Sequence, residues 1–347
     1  MRIPSVLAAA TVLVAVLAGC ADGPKQDTTL PDEGCTGASA CAPPAAAPQV
    51  DAGRVLAELK AFGSTYVYRQ SGTPMHQAAR DYMAAEFETA GLEVVRQPFP
   101  ASFLGGNLPY DGENVVGIKW GNDRSHWIVV GAHYDITEGA VHGTYDDGSG
   151  TVDVLALARA FAGVPTERTI AFIEFDQEER GLVGSRFFVE STLDQAFQYD
   201  VTVDGMVDLD MVGITWPHPA HLVVWENSLS LESRVKTLAG DVGVPGENLE
   251  FRKPGGGSSD GAAFIEANIA TAYFWSDWDE VVLPNGMPYP DSYPWWHQAD
   301  TYETMVVMAG SEATLQAGFQ TTLDIVSPLL LHMASPGFIP DPEEAET

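Results

Sequence analysis

The sequence predicts an α/β fold: a three-layer α/β/α sandwich around a mostly parallel, mixed central sheet. Segments with the period of strands alternate along the chain with segments that have the period of helices. Two strand segments, 126–135 and 169–176, are almost continuously apolar, as strands covered on both faces are. Polar and acidic residues follow several strands, which is typical of a ligand site at the carboxyl ends of parallel strands.

The individual elements follow from hydrophobic periodicity and from helix end signals. Apolar residues at helical spacing predict helices at 53–62, 75–91, 151–163, 230–243 and 311–334. Gly91 is expected to end the second helix, and Pro328 to interrupt the last. Alternating or continuous apolar runs predict strands at 92–99, 114–120, 126–135, 169–176, 203–213, 221–226 and 270–275.

Composition divides the chain into four parts. Residues 1–19 have the charged start and short apolar run of a secretory signal peptide and lead into "LAGC", which resembles a bacterial lipobox with Cys20 as the acylated residue. Residues 20–50 are rich in Pro, Ala, Asp and Gly, as a flexible tether would be. The folded domain is expected at 51–335, and the acidic segment 336–347 is expected to be disordered.

The lipobox predicts an extracytoplasmic protein held by a lipid on Cys20 to a bacterial membrane in the cell envelope. Two further cysteines, Cys35 and Cys41, lie within the tether, and export favours a small local disulfide between them. A catalytic thiol is not expected there, because nothing nearby would activate it.

The formal net charge of −31 argues against nucleic acid or an anionic membrane surface as a partner. Binding to phosphate requires clustered Lys and Arg, which a chain of this charge does not offer. The acidity fits a solvated surface in a salty environment, which is expected to account for most of it, or local sites that hold cations. Surplus acidic groups could hold Ca²⁺, but the sequence assigns no residues to it.

Residues of metal-ligand type stand where predicted strands end, at the start of one helix, and in a late loop. They are His133, Asp135, Asp146, Asp147, Glu178, Glu179, Asp210 and His297. Taken singly, each has an ordinary explanation as a helix cap, a hydrogen-bonded histidine or a solvated strand end. As a set they favour zinc, because mixed imidazole and carboxylate ligands suit this ion and one carboxylate can bridge two ions.

Glu178 and Glu179 stand side by side at the end of the apolar strand at 169–176. Neighbouring residues on an extended chain point in opposite directions. The two carboxylates are therefore expected to have different surroundings, with a solvated strand end as the alternative.

These motifs resemble those of the co-catalytic zinc exopeptidases of the aminopeptidase S and aminopeptidase Y type, whose relatives include glutamate carboxypeptidase and the glutaminyl cyclases. The resemblance covers nearly all of the expected domain and implies the zinc-exopeptidase type of α/β/α fold. It also implies two Zn²⁺ per chain. His133 and Asp210 would hold one ion, Glu179 and His297 the second, and Asp146 would bridge them.

The same resemblance implies a role for Glu178 and a cis peptide bond, and the chemistry of the residues suggests roles for Asp135 and Asp300. Glu178 matches the general base, and the peptide bond after Asp146 is expected to be cis. Asp135 is expected to orient His133 from outside the ligand set, and Asp300 could support the loop that carries the late histidine.

The segment 273–302 is dense in aromatic residues. Trp296 stands where some members of the resembled family have a Tyr, and an indole cannot act as a phenol. Trp296, Trp275 and Phe274 are interpreted as a hydrophobic wall for a substrate side chain, with core packing as the alternative. Arg252 and Lys253 could meet a substrate carboxylate, with a surface pair as the alternative.

The resulting prediction is a monomeric zinc metallo-aminopeptidase, a hydrolase that removes N-terminal residues from peptides through a water activated by two zinc ions. A glutaminyl cyclase-like acyltransferase and a metallocarboxypeptidase are the alternative enzymes. A regular helix after "DDGSG" favours the peptidase over the cyclase. A non-catalytic binding protein on the same fold is less favoured, because all six ligand and base positions are filled.

Overall fold

A computed structural model of the protein describes residues 46–105, 109–214, 222–252, 259–276 and 293–342. The helices of this part are α1 (Ala52–Thr65), α2 (Pro74–Thr89), α3 (Gly148–Phe161), α4 (Val183–Leu193), α5 (Leu229–Asp241), α6 (Gly261–Glu266), α7 (Tyr302–Ala309) and α8 (Glu312–Met333). The strands are β1 (Glu93–Phe99), β2 (Gly112–Lys119), β3 (Asp123–His133), β4 (Arg168–Phe175), β5 (Thr202–Leu209), β6 (Leu222–Glu226), β7 (Leu249–Arg252) and β8 (Ala270–Trp275). Every helix and strand predicted from the sequence is present, with ends shifted by a few residues.

The strands form one mixed sheet in the order β1-β2-β4-β3-β5-β8-β6-β7. Its centre is parallel: β3 pairs with β4 and with β5, and β5 pairs with β8. The β1–β2, β2–β4 and β6–β8 pairs are antiparallel. The four parallel strands therefore end at one edge of the sheet, and the segments that follow them meet there.

The two faces of the sheet are covered by separate hydrophobic cores, which confirms the three-layer prediction. Ile128 and Val130 of β3 belong to the core under α1, α2, α3 and α8. The alternate residues Trp127 and Val129 belong to the second core, which contains residues of α4 and α6. Burial on both faces explains the continuous apolar run of β3, since each fully buried side chain contributes roughly 1.5–3 kcal/mol.

Several local features differ from the sequence prediction. Helix α8 continues through Pro328 without interruption. A proline inside a helix costs one main-chain hydrogen bond, and the burial of Leu329, Leu330 and Met333 holds the last turns against the core. The short or turn-like elements α4, α6, α7 and β7 are not predicted. Helix α4 begins directly after Leu182, whose backbone is left-handed, as in a turn. The start of this helix therefore lacks an ordinary helix-start signal in the sequence.

Folded structure extends beyond the predicted domain limits at both ends. Gln320 donates to the carbonyl of Val50 at 3.0 Å, so the end of the expected tether is packed. At the other end Phe338 is buried, and its carbonyl accepts a hydrogen bond from Arg168 at 2.9 Å. Asp341 accepts from Ser230, which fixes part of the segment expected to be disordered.

Other predictions lie outside the described residues. These are the signal peptide at 1–19, the acylated Cys20 and the disulfide between Cys35 and Cys41. Among the helices of the described part, none combines the length and apolar character needed to cross a membrane.

Candidate metal centre and active site

The candidate site lies where the parallel strands β3, β4 and β5 end. His133 is the last residue of β3 and pairs in register with Phe175, the last residue of β4. The turn that follows β4 carries Glu178 and Glu179. Asp210 follows β5 directly, and its main-chain N–H donates to Phe274 of the neighbouring strand at 3.2 Å. Strand register thus brings these side chains together, as predicted from their positions in the sequence.

The first group of candidate ligands consists of His133, Asp146 and Asp210, all buried. Their ligand atoms lie within 4.8 Å of one another. His133 Nε2 is 3.2 Å from Asp146 Oδ1 and 3.9 Å from Asp210 Oδ1. One imidazole nitrogen and two carboxylate oxygens therefore converge on one point, which is the donor set that zinc takes in proteins.

The second group consists of Asp146, Glu179 and His297, and it is also contained within 4.8 Å. His297 Nε2 is 3.2 Å from Asp146 Oδ2 and 3.4 Å from Glu179 Oε2. Asp146 belongs to both groups and turns a different oxygen toward each. This is the arrangement of a carboxylate that bridges two cations. The peptide bond between Asp146 and Asp147 is cis, as expected.

The electrostatics of the two groups fit cations. Asp210 Oδ1 is buried and has no hydrogen-bond partner within the described residues. Burial raises the pKa of Asp210 to about 6, against the opposing effect of His133. Burial, together with the charge of Asp146, raises the pKa of Glu179 to about 8. Carboxylates that are this costly to ionise would be stabilised by a divalent cation between them.

The histidines keep Asp146 ionised. Burial alone would raise the pKa of Asp146, but hydrogen bonds from His133 and His297 hold it well below its usual value. In turn, burial lowers the pKa of His133, yet the surrounding carboxylates, Glu178 foremost, raise it well above its usual value. The residues present therefore suit metal ions at both positions, and ion binding would replace these protons.

Glu178 and Glu179 have different surroundings, as predicted. The cause is a 3₁₀ turn and not the alternation of side chains along an extended strand. Gln177 has φ of 60° and Glu178–Arg180 form a 3₁₀ turn, so the pair is not extended. Successive residues of such a turn point about 120° apart. Glu179 Oε1 accepts from Thr137 N–H at 3.1 Å while its other oxygen joins the second group.

Glu178 lies beside the first group without belonging to it. Its Oε2 is 3.9 Å from His133 Nε2. Burial raises its pKa well above the usual value, with Asp260 and Asp210 adding to the effect and His133 opposing it. A carboxyl group held close to the ligands, with a raised affinity for a proton, has the position and the chemistry of a general base.

Asp135 acts on the site differently from the prediction. Its Oδ1 is 3.6 Å from His133 Nδ1, which is beyond hydrogen-bonding distance. The main-chain oxygen of Asp135 is closer to the same nitrogen, at 3.3 Å. The carboxylate instead accepts from the main-chain N–H of Glu178 at 3.0 Å. Asp135 therefore hydrogen-bonds His133 through its backbone, its nearby carboxylate helps to raise the pKa of His133, and the same carboxylate fixes the turn that carries both glutamates.

Asp300 supports the loop of Asp146 and, through Tyr293, also the loop of His297. Its Oδ2 accepts from the main-chain N–H of Tyr145 at 2.6 Å and of Asp146 at 3.1 Å. Tyr293 donates to its other oxygen at 3.1 Å. The shared ligand thus has its backbone held by a buried carboxylate.

Of the three predicted pocket residues, Trp296 contacts a candidate ligand. Trp296 is 37% exposed, and its indole N–H donates to Asp146 Oδ2 at 2.6 Å. Phe274 is wrong as a pocket residue, because it is fully buried in the core beneath the sheet. Trp275 packs against the same core, and its ring centroid lies 5.9 Å from the Arg252 guanidinium.

Arg252 is engaged away from the ligand groups. Its Nε donates to Glu250 at 2.7 Å, and its guanidinium lies 5.7 Å from the Trp225 ring centroid. Lys253 lies outside the described residues. Arg252 therefore gives no support to recognition of a substrate carboxylate.

The structure also brings residues to the site that the sequence prediction missed. Arg69 is fully buried and donates to main-chain oxygens of the loop after β3. His76 is paired with Asp176, two residues before Glu178, at 2.7 Å. Asp260 is fully buried at the start of α6, and its pKa is raised to about 7 by burial. The sequence offers one weak sign of such residues, a charged side chain beside a glycine-rich turn. This sign does not tell which charged side chain is buried.

Comparison with known proteins agrees with this geometry. The model of the family described as Peptidase family M28 matches residues 114–316, more than half of the chain. The chain belongs to peptidase family M28. The matched range contains every candidate ligand and Glu178.

The chain is similar in sequence to "Aminopeptidase YwaD" of Bacillus subtilis (strain 168), with 32% identity over 214 residues. The alignment covers 59% of the chain and 42% of the relative, so the chain spans less than half the length of the curated protein it matches.

Solved structures share the M28 fold. A zinc aminopeptidase from Bacillus subtilis, BSAP, has a TM-score of 0.66 and 18% identity, over 85% of this chain and 98% of that one. A glutaminyl cyclase from Bacteroides thetaiotaomicron has a TM-score of 0.59 and 22% identity, over 81% and 99%. At these identities the likeness extends to the fold alone, which confirms the predicted fold class.

Proposed function

We propose that the protein is a zinc-dependent aminopeptidase that removes N-terminal residues from peptides and holds two zinc ions per chain. The observation that carries the proposal is the position of Asp146, whose two carboxylate oxygens face two separate ligand groups. Each group adds one histidine and one further carboxylate. A shared carboxylate between two sites of this composition favours a two-metal hydrolase.

The ligands divide between the two positions. His133 and Asp210 would hold the first ion, Glu179 and His297 the second, and Asp146 both. When bound, the ions supply a water of lowered pKa and polarise the scissile carbonyl.

Glu178 performs the proton transfers. It sits 3.9 Å from a ligand nitrogen of the first group and is buried, so its carboxylate meets the reacting water without bulk solvent. It takes the proton that the water loses on attack and passes it to the nitrogen of the leaving amine. Its backbone is fixed by the hydrogen bond to Asp135, which limits the movement of the base between the two transfers.

The charge of the site favours an aminopeptidase over a carboxypeptidase. The groups around the ligands are carboxylates, which attract the ammonium of a peptide N-terminus. The nearest candidate for binding a substrate carboxylate, Arg252, is bonded to Glu250. Trp296 stands half-exposed at the second group and offers an apolar surface beside it for a substrate side chain.

A substrate panel with metal analysis tests the proposal. Peptides with a free N-terminus should be cleaved from that end, peptides acetylated there should not, and amidation of the C-terminus should make little difference. Chelation should abolish cleavage, and zinc should restore it. Asp146→Asn should lose both ions, whereas Asp153→Asn, at a buried acid of α3 outside both ligand groups, should keep them. Cleavage from the C-terminus, or cleavage unaffected by N-terminal acetylation, would contradict the proposal.

A glutaminyl cyclase is the second candidate, because an enzyme of that class shares the fold. The presence of Glu179 and His297 as a complete second group favours two ions and hydrolysis. One tightly bound zinc, together with cyclisation of N-terminal glutamine, would decide for the cyclase. The described residues contain no third group of ligands, so Ca²⁺ has no assigned site there.

The "LAGC" motif supports a lipid anchor on Cys20, with the enzyme held outside the cytoplasm. Cys20→Ser should block processing of the precursor or release the protein from the membrane fraction. Unchanged fractionation and processing of this variant would refute the anchor.

A further inference from the structure

Arg69 is a buried cation with no direct bond to a carboxylate of the described residues. It lies in the short connection between α1 and α2 and is fully buried. Its three nitrogens donate to three main-chain oxygens: Nε to Tyr134 at 2.7 Å, Nη2 to Gly143 at 2.5 Å, and Nη1 to His142. Burying a charge is costly unless its hydrogen bonds are satisfied. A fully buried guanidinium that stacks on Phe62 and directs its hydrogen bonds to three main-chain oxygens therefore calls for a reason.

The three carbonyls belong to the segment that joins the ligand His133 to the shared ligand Asp146. Tyr134 stands between the ligand His133 and Asp135, and Gly143 lies three residues before Asp146. The Gly143 oxygen also accepts from Gly148 N–H at the start of α3. One side chain therefore holds both ends of the segment that sets the separation of two ligands.

The residues beside Arg69 extend this hold along the same segment. Tyr68 N–H donates to the Val141 carbonyl at 2.7 Å, and the Gln70 amide donates to the Ala140 carbonyl at 2.5 Å. Between the points held, Thr137 N–H donates to Glu179 of the second group. Movement of the segment would therefore disturb ligands of both groups.

The charge of Arg69 also has a counterpart in the site. Burial lowers the pKa of its guanidinium to about 10, and the carboxylates of Asp300, Asp147 and Asp135 act in the opposite direction. Arg69 thus stays protonated at neutral pH and offsets part of the negative charge collected at the strand ends.

We propose that Arg69 is a positioning residue for the metal centre, which sets the distance between the ligands His133 and Asp146 by bridging the Tyr134 and Gly143 carbonyls. The proposal rests on the proposed function, because it presumes that both groups bind zinc. It predicts that a lysine cannot replace the arginine, since a single ammonium cannot span carbonyls that a planar fork reaches from separate nitrogens.

Arg168 offers a matched control. It also donates to main-chain carbonyls, including Phe338 at 2.9 Å, and it pairs with Asp204 at 2.5 Å. It is the first residue of β4, at the opposite end of that strand from the ligands. Arg69→Lys and Arg168→Lys therefore remove the same kind of interaction at the two ends of the fold.

The experiment measures zinc affinity and stoichiometry by isothermal titration calorimetry, thermal stability without metal, and the kcat and KM of the wild type and both variants. Residues that orient metal ligands without binding the metal themselves typically contribute 10–100-fold to metal affinity or activity. We expect Arg69→Lys to weaken zinc binding by about this factor and to lower kcat with little change in KM, and Arg168→Lys to lower only the melting temperature. Equal zinc affinity in the two variants would overturn the proposal.

Two further arms keep the outcome decisive. If Arg69→Lys does not fold, ¹⁵N spectra of arginine Nε–H groups in the wild type replace it. Zinc should then shift the Arg69 signal more than that of Arg168, and an unmoved Arg69 signal would overturn the proposal. A wild type that binds two zinc ions but cleaves no peptide would refute the proposed activity and leave the test of Arg69 intact.

Discussion

Replacement of Glu178 by glutamine separates proton transfer from metal binding. The side chain is buried beside the first ligand group, and glutamine has the same shape but cannot accept the proton of the reacting water. General acid–base catalysis contributes about 10²–10⁴-fold, which corresponds to about 2.7–5.4 kcal/mol of transition-state stabilisation at 1.36 kcal/mol per decade. We expect Glu178→Gln to lower kcat by about 10²–10⁴-fold or more, while substrate binding persists.

Zinc binding should survive this change. Glu178 is outside both ligand groups. It is also the foremost charge that raises the pKa of His133, so its removal reduces proton competition at that ligand. Zinc should therefore be retained at the first group, because no ligand atom is removed. Glu179→Gln should have the opposite profile, with zinc lost from the second group because a ligand oxygen has been replaced.

The assay pairs kcat from aminoacyl substrates with zinc content after dialysis. Glu174→Gln is the matched control, since Glu174 lies on β4, is fully buried and has its pKa raised well above the usual value by burial. A carboxyl that is already protonated should tolerate the amide, so this variant should keep near-normal kcat and both ions. A Glu178→Gln enzyme with wild-type turnover, or one that loses zinc as readily as Glu179→Gln, would refute the division of roles.

Three more predictions concern stability and pH. Gly150→Ala should destabilise the fold by several kcal/mol and lower zinc content, because a Cβ there would clash with the main-chain oxygen of the last residue of β5. Gly163→Ala is the control, because the space around its Cα is open, and it should be near neutral in denaturant unfolding. Metal-free protein should lose stability as pH rises from about 5 to 8, because the folded-state pKa values of Asp260 (about 7) and Glu179 (about 8) lie above those of unfolded carboxyls. Urea midpoints that rise over this pH range would contradict this prediction. Zinc should be released as pH falls, because protons compete with zinc for His297, whose pKa is raised in the metal-free protein. Zinc content measured across pH checks this, and a zinc content that stays constant from neutral to acid pH would contradict it.

The ligands could be predicted from the sequence because strand ends are local features. An apolar run such as 169–175 identifies a buried strand by itself, and the parallel arrangement of strands then places the residues that follow each strand at one edge. His133, Glu179 and Asp210 are predictable in this way, and they lie in two ligand groups that share Asp146. The roles of individual residues came from the family resemblance, because spacing alone does not distinguish a ligand from a base.

The supporting residues could not be predicted, because they act on main-chain atoms. The carboxylate of Asp300 holds two backbone N–H groups, and the guanidinium of Arg69 holds three carbonyls. Such contacts depend on the path of loops and leave no periodic pattern in the sequence. The burial of Phe274 was missed for a related reason, since it depends on β8 lying between β5 and β6, a position set by the order of strands in the sheet.

The site combines two opposite requirements. Its carboxylates must be close enough to share cations, yet without cations their burial raises the pKa values of Asp210 and Glu179 and makes ionisation costly. Ligand side chains alone cannot hold this arrangement, because like charges that are free to move would separate. The backbone of the ligand-bearing segments must therefore be fixed from outside, by groups that do not compete for the metal. Donors to main-chain carbonyls, as Arg69 is, and acceptors of main-chain N–H groups, as Asp135 and Asp300 are, meet that condition.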